Sequence, residues 1–262
     1  MPSEQSSSPG RDPQASFRPI GLIGRLGSTK VVDTLKRLIR FLDERGHHVI
    51  IEDRTATVLL DHGHVESSRR MLGQLCDLVV VVGGDGSLLG AARTLCHSGT
   101  LVLGVNRGRL GFLTDISPDE LEARVGEVLD GRYEVEERFL LDAELYREGT
   151  LMGSGDALNE VVLHPGKAVR MIEFELFIDG QFVYSQRSDG LIIATPTGST
   201  AYSLSGGGPI MHPRLDVVTL VPMFPHTLSS RPIVIDAGSE IRIHIGETNQ
   251  TYPHISCDGQ TR

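Results

Sequence analysis

Asp85 stands inside a glycine-rich turn, where an acidic side chain is unexpected. The turn, Gly83-Gly84-Asp85-Gly86-Ser87, lies between two apolar runs at residues 78–82 and 88–95. Glycines let a ligand approach the backbone closely, and the N–H groups at a helix start attract anions such as phosphate. A carboxylate repels phosphate unless a metal ion intervenes or the acid has a chemical task. We therefore predict a phosphate site in which Asp85 has a chemical role. The residues predicted to form its phosphate loop are Gly83, Gly84, Gly86 and Ser87.

Two elements must position this turn. Residues 78–82 are a β-branched run without alternation, which is typical of a strand buried on both faces of a parallel sheet. Ser87 is predicted to cap a helix over residues 88–95. Strand and helix candidates alternate from about residue 20 to Gly131, which indicates an open parallel α/β sheet.

The first strand candidate leads into a second glycine-containing loop. The sequence Gly24-Arg25-Leu26-Gly27-Ser28-Thr29-Lys30 is a near miss to a P-loop, because the lysine does not directly follow the second glycine. We interpret Ser28 as the cap of the next helix, whose apolar face runs over residues 31–42 and which ends at Gly46. A second helix is expected from the Ser117-Pro118-Asp119-Glu120 capping box to Gly131.

The pattern changes to strands after about Tyr133. Residues 171–178 alternate between apolar and polar, and Asp179-Gly180 predicts a hairpin turn before the returning strand. Three further stretches are candidates for chemistry. They are Asn159-Glu160, the hydroxyl-rich and glycine-rich run at residues 187–209, and Ser256-Cys257-Asp258-Gly259-Gln260. The amide and carboxylate of the first stretch can bind polyol hydroxyls, whereas the second suits a nucleotide.

Composition narrows the classes of protein. A chain of 262 residues with 39% hydrophobic residues is long enough for one or two globular domains. It has no apolar run near the ~20 residues that a membrane helix needs. Residues 1–18 are rich in Ser and Pro and lack the apolar core of a signal peptide. We expect a disordered tail at residues 1–18 and a cytoplasmic protein without a membrane partner.

The net charge and the spacing of the cysteines and histidines exclude further classes of protein and of binding site. A formal net charge of −9 argues against a nucleic-acid partner. The three cysteines have no CxxC spacing and the ten histidines no metal-ligand spacing, so we expect reduced thiols and no metal site built from them. A phosphate site in so acidic a chain must be locally basic or metal-assisted. Candidate phosphate partners are Arg107, Arg170 and Arg187.

Three stretches occur together in the order and spacing of one family. They are Gly83-Gly84-Asp85-Gly86-Ser87, Asn159-Glu160 and the run from Asp189 through Thr195-Pro196-Thr197-Gly198-Ser199-Thr200-Ala201-Tyr202. Over about residues 20–260 the chain resembles the NAD kinases and looks like a bacterial member. A GGDG turn alone is shared with lipid kinases and phosphofructokinases, whereas the long run combined with Asn159-Glu160 is specific to NAD kinases.

The resemblance implies an enzyme that transfers the γ-phosphoryl group of ATP to the 2′-hydroxyl of the adenosine ribose of NAD, giving NADP. It implies Asp85, in contact with NAD, as the proton acceptor for that hydroxyl, and Asn159 and Glu160 as residues that hold the ribose. The other NAD-binding residues that it implies are Gly86, Arg170, Arg187, Asp189, Thr200, Ala201, Tyr202, Ser203, Leu204, Ser205 and Gln260. A divalent metal ion, most simply Mg²⁺, is implied to accompany ATP.

The same resemblance sets expectations for the architecture. We expect a Rossmann-like open parallel sheet domain at residues 19–135, followed by a β-rich NAD-binding domain at residues 136–262. The resemblance implies homo-oligomers, dimers or tetramers, that form largely through the β-rich domain. Members of the family usually continue beyond Asp258-Gly259-Gln260 with a segment that returns to the first domain, whereas this chain stops at Arg262. We therefore expect an unpaired sheet edge, which lowers stability and favours association.

Two other functions stay open at this stage. One is a non-catalytic dinucleotide-binding or regulatory protein. The other is a different kinase with the GGDG turn, acting on a lipid or a sugar.

Overall fold

The computed structural model describes residues 17, 19–107, 113, 116–166, 170–227, 229–246, 249 and 252–261. The chain divides into two compact units, Met1–Val135 and Glu136–Arg262. Within the described residues, no helix has the combination of length and apolar character that crossing a bilayer requires.

The first unit is built on a five-stranded sheet. Its strands are β1 (Ile20–Gly24), β2 (Val49–Glu52), β3 (Val65–Ser67), β4 (Leu78–Gly83) and β5 (Leu101–Asn106). Their order across the sheet is β3-β2-β1-β4-β5, and each neighbouring pair is parallel. Every residue of β4 is buried, as expected for a strand covered on both faces. The predicted open parallel sheet is therefore confirmed.

Helices cover this sheet. They are α1 (Thr29–Glu44), α2 (Asp53–Ala56), α3 (Arg69–Leu75), α4 (Asp85–Leu95) and α5 (Leu121–Leu129), with a 3₁₀ turn at Pro118–Glu120. Because side chains alternate along β4, Val80 and Val82 join one core cluster with the apolar face of α1. Val79 and Val81 join the other cluster, with residues of α3 and α4. The apolar β4 run thus anchors helices on both faces.

The strand order places a crevice at one edge of the sheet. The chain runs outward from β1 to β2 and β3 on one side, and from β4 to β5 on the other. Ligands of such sheets bind at the carboxyl ends of the strands, at the point where the order reverses. That point lies between β1 and β4, where Gly24 pairs with Val82. The predicted phosphate loop follows β4 directly and therefore lies at this position.

The second unit is rich in antiparallel strands. They are β6 (Leu141–Arg147), β7 (Thr150–Ala157), β8 (Glu160–His164), β9 (Ile172–Ile178), β10 (Gln181–Ser188), β11 (Gly190–Ala194), β12 (Val217–Met223), β13 (Ile233–Asp236), β14 (Ile241–Ile245), β15 (His254–Cys257) and β16 (Gln260–Thr261). A six-stranded sheet has the order β13-β12-β11-β8-β15-β16, a three-stranded sheet the order β10-β9-β14, and β6 pairs with β7. A 3₁₀ turn (Thr197–Thr200) and the short helix α6 (Tyr202–Ser205) follow β11. This unit confirms the predicted β-rich half.

Local expectations met different outcomes. The Asp179-Gly180 hairpin turn is confirmed, with positive φ angles at both residues between β9 and β10. The predicted cap at Ser87 is wrong: α4 begins at Asp85, and Gly84 occupies the N-cap position. Most of the predicted tail lies outside the described residues. Phe17, however, is buried, with its ring centroid 5.6 Å from that of Tyr133.

Candidate functional site

The glycine turn after β4 has room for a ligand. The carbonyl of Gly84 accepts hydrogen bonds from the backbone N–H groups of Ser87 (2.8 Å) and Leu88 (3.3 Å), which starts α4. A Cβ atom added to Gly84 or Gly86 would meet no atom within 4 Å. A Cβ at Gly83, in contrast, would lie 2.5 Å from Ser87 Oγ. Because Gly83 has no side chain, the Ser87 side chain can pack against its backbone. The backbones of Gly84 and Gly86 are not covered by neighbouring atoms.

Asp85 is the first residue of α4 and is partly buried. Its Oδ1 atom accepts a hydrogen bond of 3.3 Å from the backbone N–H of Leu113. Residues 108–112, between β5 and Leu113, lie outside the described residues. A carboxylate at this point of the turn can accept a proton from a hydroxyl group that approaches the open glycines.

Arg107 supplies positive charge beside the turn. Its backbone N–H donates to the carbonyl of Gly83 at 2.6 Å. Its Nε atom donates to Thr34 Oγ1 on α1, and that hydroxyl in turn donates to the carbonyl of Lys30 at 2.8 Å. Thr34 is fully buried. The sequence analysis did not identify Thr34, whose hydroxyl group holds the Arg107 side chain against α1.

Leu158 and Asn159 form the tight connection between β7 and β8 in the second unit, and Glu160 is the first residue of β8. The side chains of Asn159 and Glu160 are buried, with relative exposures of 9% and 8%. Within the described part of the chain, Asn159 Oδ1 and Glu160 Oε2 are buried and have no hydrogen-bond partner. The Tyr202 backbone N–H, at the start of α6, donates a hydrogen bond to the Glu160 carboxylate. Because unpaired buried oxygens are costly, these two atoms are suited to hydroxyl donors from a ligand.

Thr195 and Gly198, in the middle of the hydroxyl-rich run, hold this connection from one side. The Thr195 N–H donates to the carbonyl of Asn159 at 2.9 Å, and Thr195 Oγ1 donates to the carbonyl of Leu158 at 2.6 Å. The Gly198 N–H donates to Thr195 Oγ1 at 3.2 Å. A Cβ at Gly198 would lie 2.0 Å from the carbonyl oxygen of Asn159. Only glycine fits at position 198, so the backbone of this part of the run packs directly against the backbone of Asn159.

Asp258 holds the same connection from the other side. Its Oδ1 atom accepts from the N–H groups of Asn159 (2.8 Å) and Glu160 (3.2 Å), and its Oδ2 atom from the N–H of Leu158 (3.0 Å). Asp258 and Gly259 both have positive φ, 49° and 73°, in the two-residue turn that joins β15 to β16. The sequence marked the Asp-Gly pair but gave Asp258 no role, although the pair is a strong hairpin signature.

The remaining nucleotide residues expected from the resemblance divide into two groups. Thr200, Ala201, Tyr202, Ser203, Leu204 and Ser205 follow Gly198, in the end of the 3₁₀ turn and in α6. Among them Ser203 is buried, and within the described residues its Oγ has no hydrogen-bond partner. Of this group, Tyr202 is joined to Glu160, through the hydrogen bond from its backbone N–H to the Glu160 carboxylate.

The second group lies on other elements. Arg170 is exposed just before β9, and Arg187 is exposed on β10. Asp189 lies between β10 and β11, where its N–H donates to the carbonyl of Met223 at 2.9 Å. Gln260 is exposed on β16 and pairs with Cys257. Within the described residues, no hydrogen bond joins the Arg170 or Arg187 side chain to Asn159 or Glu160.

Burial changes the acidity of Glu160. Burial raises the pKa of its carboxyl group to about 7, and the nearby Asp258 carboxylate adds to the rise. The hydrogen bond from the Tyr202 N–H opposes it. A carboxyl group in such surroundings titrates near neutral pH.

We expect Glu160→Gln to stabilise the ligand-free protein at pH 8. The folded-state pKa is above the ordinary value of 4.5, so the folded state binds more protons than the unfolded state between these values. The contribution of Glu160 to stability is therefore complete below the lower pKa and is lost as pH rises through about 7. Gln has nearly the same shape and no charge, so the gain at pH 8 should be on the order of 2 kcal/mol.

Urea unfolding of the wild type and variant at pH 5 and pH 8 measures this difference. Glu137→Gln, at an exposed glutamate of the same unit, is the matched control and should change little at either pH. A gain from Glu160→Gln that is equal at both pH values would contradict the assigned titration.

Both halves of the chain match known protein domains. Residues 20–133 match the ATP-NAD kinase N-terminal domain, and residues 158–262 match the ATP-NAD kinase C-terminal domain. The NAD kinase of Chromohalobacter salexigens is 74% identical over 246 residues, which cover 94% of this chain and 84% of that protein. The NAD kinase of Pseudomonas aeruginosa PAO1 is 67% identical over 93% of this chain and 83% of its own length.

Solved structures agree with these sequence matches. The yeast NADH kinase crystallised with NADH has a TM-score of 0.88 and 26% identity, and the match covers 98% of this chain and 81% of that chain. An NAD kinase from Archaeoglobus fulgidus in complex with ATP has a TM-score of 0.72 and 27% identity, over 92% of this chain and 84% of that chain. From these matches, at the level of domains, whole sequence and fold, the chain belongs to the NAD kinase family.

Proposed function

We infer that the protein is an ATP-dependent NAD kinase. It transfers the γ-phosphoryl group of ATP to the 2′-hydroxyl of the adenosine ribose of NAD and produces NADP and ADP. The structural observation that carries this inference is the pair of buried, unpartnered oxygens at Asn159 and Glu160. They occur in a chain that is 74% identical to a named NAD kinase. A non-catalytic binding protein and a lipid or sugar kinase are not favoured.

The Asn159–Glu160 connection suits the acceptor ribose. A ribose hydroxyl can donate a hydrogen bond and also accept one. Asn159 Oδ1 and Glu160 Oε2 are each without a donor within the described residues, and the hydroxyl groups of a ribose are donors of the required kind. We propose that these two side chains orient the sugar so that its 2′-hydroxyl is the nucleophile.

Asp85 is proposed as the proton acceptor. The 2′-oxygen forms a bond to the γ-phosphorus as the bond from that phosphorus to the β,γ-bridging oxygen breaks. The hydroxyl proton passes to the Asp85 carboxylate, and ADP leaves with the bridging oxygen. In the loose transition state of phosphoryl transfer most of the catalysis comes from positioning and charge stabilisation, so the base needs only to be ionised and within reach.

The glycine turn is proposed to hold the phosphates. The bare backbone at Gly84 and Gly86 allows close approach, Ser87 lies over Gly83, and Arg107 provides positive charge beside it. Mg²⁺ is proposed to enter as part of the ATP substrate. The open space and the Asp85 carboxylate fit such a complex, because Mg²⁺ prefers oxygen ligands from one or two carboxylates and from phosphates. The ion would neutralise phosphate charge.

The other residues implied by the resemblance complete the proposed site. The hydroxyls and main chain of residues 200–205 line the adenine and ribose. Further nucleotide contacts are proposed for Arg170, Arg187, Asp189 and Gln260. The exposed positions of the two arginines and Gln260 leave them accessible to a nucleotide.

Two broader properties are part of the proposal. We propose a homo-oligomer, a dimer or tetramer, formed through the β-rich unit. The exposed apolar side chains of Leu145, Tyr146, Leu151 and Met152 on β6 and β7 support it. We also propose a cytoplasmic location, which is consistent with three free cysteines.

An NADP assay tests the function directly. The protein is incubated with NAD, Mg²⁺ and either ATP or inorganic polyphosphate, and NADP is measured with an NADP-specific dehydrogenase. We expect NADP to form with ATP, and the polyphosphate reaction shows whether the donor site accepts other phosphoanhydrides. NAD binding without NADP from either donor would support the binding protein, and turnover of a lipid or sugar alone would support the other kinase.

A further inference from the structure

Asp258 makes an unusual set of bonds for a turn residue. Its carboxylate accepts three consecutive backbone N–H groups, from Leu158, Asn159 and Glu160, at 3.0, 2.8 and 3.2 Å. Its own N–H donates to the carbonyl of Glu160 at 3.0 Å. The side chain thus binds the main chain on which the two proposed ribose-binding side chains stand, and it does so from the β15–β16 hairpin.

A second Asp-Gly hairpin in the same unit provides a comparison. Asp179 and Gly180, between β9 and β10, have φ angles of 50° and 75°. Asp179 Oδ1 accepts the N–H of Glu240 at 2.9 Å, and the Asp179 N–H donates to the carbonyl of Glu240 at 2.9 Å. Asp179 is exposed, and its bonds go to an exposed residue next to β14. Turn formation alone therefore does not require the threefold contact that Asp258 makes.

The hydrogen bonds of Asp258 affect how the side chains of Asn159 and Glu160 are held. Thr195 holds the carbonyl of Asn159, whereas Asp258 holds the N–H groups of Asn159 and Glu160 and also the carbonyl of Glu160. With both sides of the connection bonded, the main chain that carries Asn159 Oδ1 and Glu160 Oε2 is held in place, and within the described residues both atoms are buried without a protein partner. Those atoms are thereby kept available for a ligand, which is the preorganisation that tight binding requires.

The contact also places charge beside Glu160. Glu160 pairs with Ala194 on β11, its carbonyl accepts from the Asp258 N–H, and its carboxylate accepts from the Tyr202 N–H on α6. Among these groups, the Asp258 carboxylate is the one whose charge acts on Glu160, and the Tyr202 N–H opposes it. The same carboxylate that fixes the main chain therefore makes ionisation of Glu160 more difficult.

We propose that Asp258 is a positioning residue of the acceptor site, which fixes Asn159 and Glu160 through their backbone N–H groups. This inference rests on the proposed function, since it assigns the two side chains to the ribose. Asp258 acts through its neighbours and transfers no proton itself.

Two substitutions separate the two effects. Asp258→Asn keeps a residue that tolerates positive φ, removes the charge, and replaces one acceptor oxygen with an N–H₂ group that faces a backbone N–H. Asp258→Glu keeps the charge but moves the carboxylate outward by one methylene. Asp179→Asn and Asp179→Glu are the matched controls in the other hairpin. Thermal unfolding and circular dichroism establish that each variant is folded.

The readouts are steady-state kinetics over a pH series and calorimetric NAD binding. We expect Asp258→Asn to raise the KM for NAD by about tenfold or more and to leave the KM for ATP within about twofold. We also expect the acidic limb of the kcat/KM profile for NAD to move to lower pH. Asp258→Glu should raise the KM for NAD without moving this limb. The limb should be absent in Glu160→Gln.

Three results would overturn parts of the proposal. An unchanged KM and NAD affinity in folded Asp258→Asn, or an equal change in Asp179→Asn, would remove the positioning role. An acidic limb that stays in place in Asp258→Asn would remove the role of its charge. If the wild type binds NAD but makes no NADP, the proposed function fails, while calorimetry of the same variants still decides the positioning of Asn159 and Glu160. A variant that does not fold leaves the decision to the other substitution at Asp258.

Discussion

Replacement of Asp85 with Asn is expected to lower the rate of NADP formation by roughly 10²–10⁴-fold, the usual contribution of a general base. The amide is nearly isosteric with the carboxylate and can still accept the hydrogen bond from the Leu113 N–H. It cannot take the proton of the 2′-hydroxyl. The loss should therefore be in kcat, with the KM for NAD changed by less than about threefold.

Asp53→Asn is a matched control for this variant. Asp53 is likewise the first residue of a helix at the carboxyl end of a strand of the same sheet, where Asp53 Oδ1 accepts the N–H of Arg54. It is exposed and lies outside the glycine turn. Steady-state assays of both variants should show a large loss only for Asp85→Asn. Wild-type turnover in folded Asp85→Asn would remove Asp85 from its proposed role.

Gly198→Ala is expected to damage the acceptor site without touching any side chain proposed to bind NAD. The new Cβ would lie 2.0 Å from the carbonyl oxygen of Asn159, 2.4 Å from its carbonyl carbon and 2.7 Å from its Cα. All three are main-chain atoms, so the connection between β7 and β8 must move. We expect the KM for NAD to rise by about tenfold or more and stability to fall by about 1–3 kcal/mol, the usual cost of an overpacked site.

Gly153→Ala tests whether this effect is local. Gly153 lies in β7 of the same unit, and a Cβ there would meet no atom within 4 Å. It should leave NAD kinetics and urea unfolding nearly unchanged. Normal NAD kinetics in Gly198→Ala would show that the Asn159 backbone tolerates displacement, and this would weaken the argument that a rigid connection binds the ribose.

Features that depend on neighbouring residues were predictable from the sequence. The apolar run of β4 has no alternation, and the strand is buried on both faces. Asp179-Gly180 can adopt two consecutive positive φ angles, and a hairpin forms there. The order of the GGDG turn, Asn159-Glu160 and the hydroxyl-rich run identified the family because these residues stand in fixed order along the chain.

Local competition explains the error at Ser87. Serine is a good N-cap residue, but β4 ends at Gly83 and α4 begins at Asp85, so Gly84 alone separates the strand from the helix. Gly84 fills the cap position, so the serine hydroxyl lies over Gly83 instead. The sequence analysis did not predict the strand β3, for another reason. It is three residues long and mostly exposed, so it lacks a hydrophobic pattern.

The arrangement around Asn159 could not be predicted from local pattern. An adjacent amide and carboxylate are usually solvent-exposed, and nothing beside them in the sequence shows that both are buried. Their burial depends on Thr195, Gly198 and Asp258, which the fold brings from two other parts of the chain. Sequence identified most of the residues, whereas tertiary structure shows how they are held.

The three hydrogen bonds that the Asp258 carboxylate accepts from residues 158–160 have a consequence for the order of folding. Asp258 Oδ1 and the Asn159 N–H are joined across 99 residues, and closing so long a loop costs entropy that local turns do not. Contacts of this kind form late, so the Asn159 connection should acquire its final shape only after the β15–β16 hairpin has docked. Amide hydrogens of residues 158–160 should then become protected from exchange later in refolding than those of residues 79–82. Early cleavage of the hairpin by a protease would leave the parallel sheet folded and the ribose site incomplete.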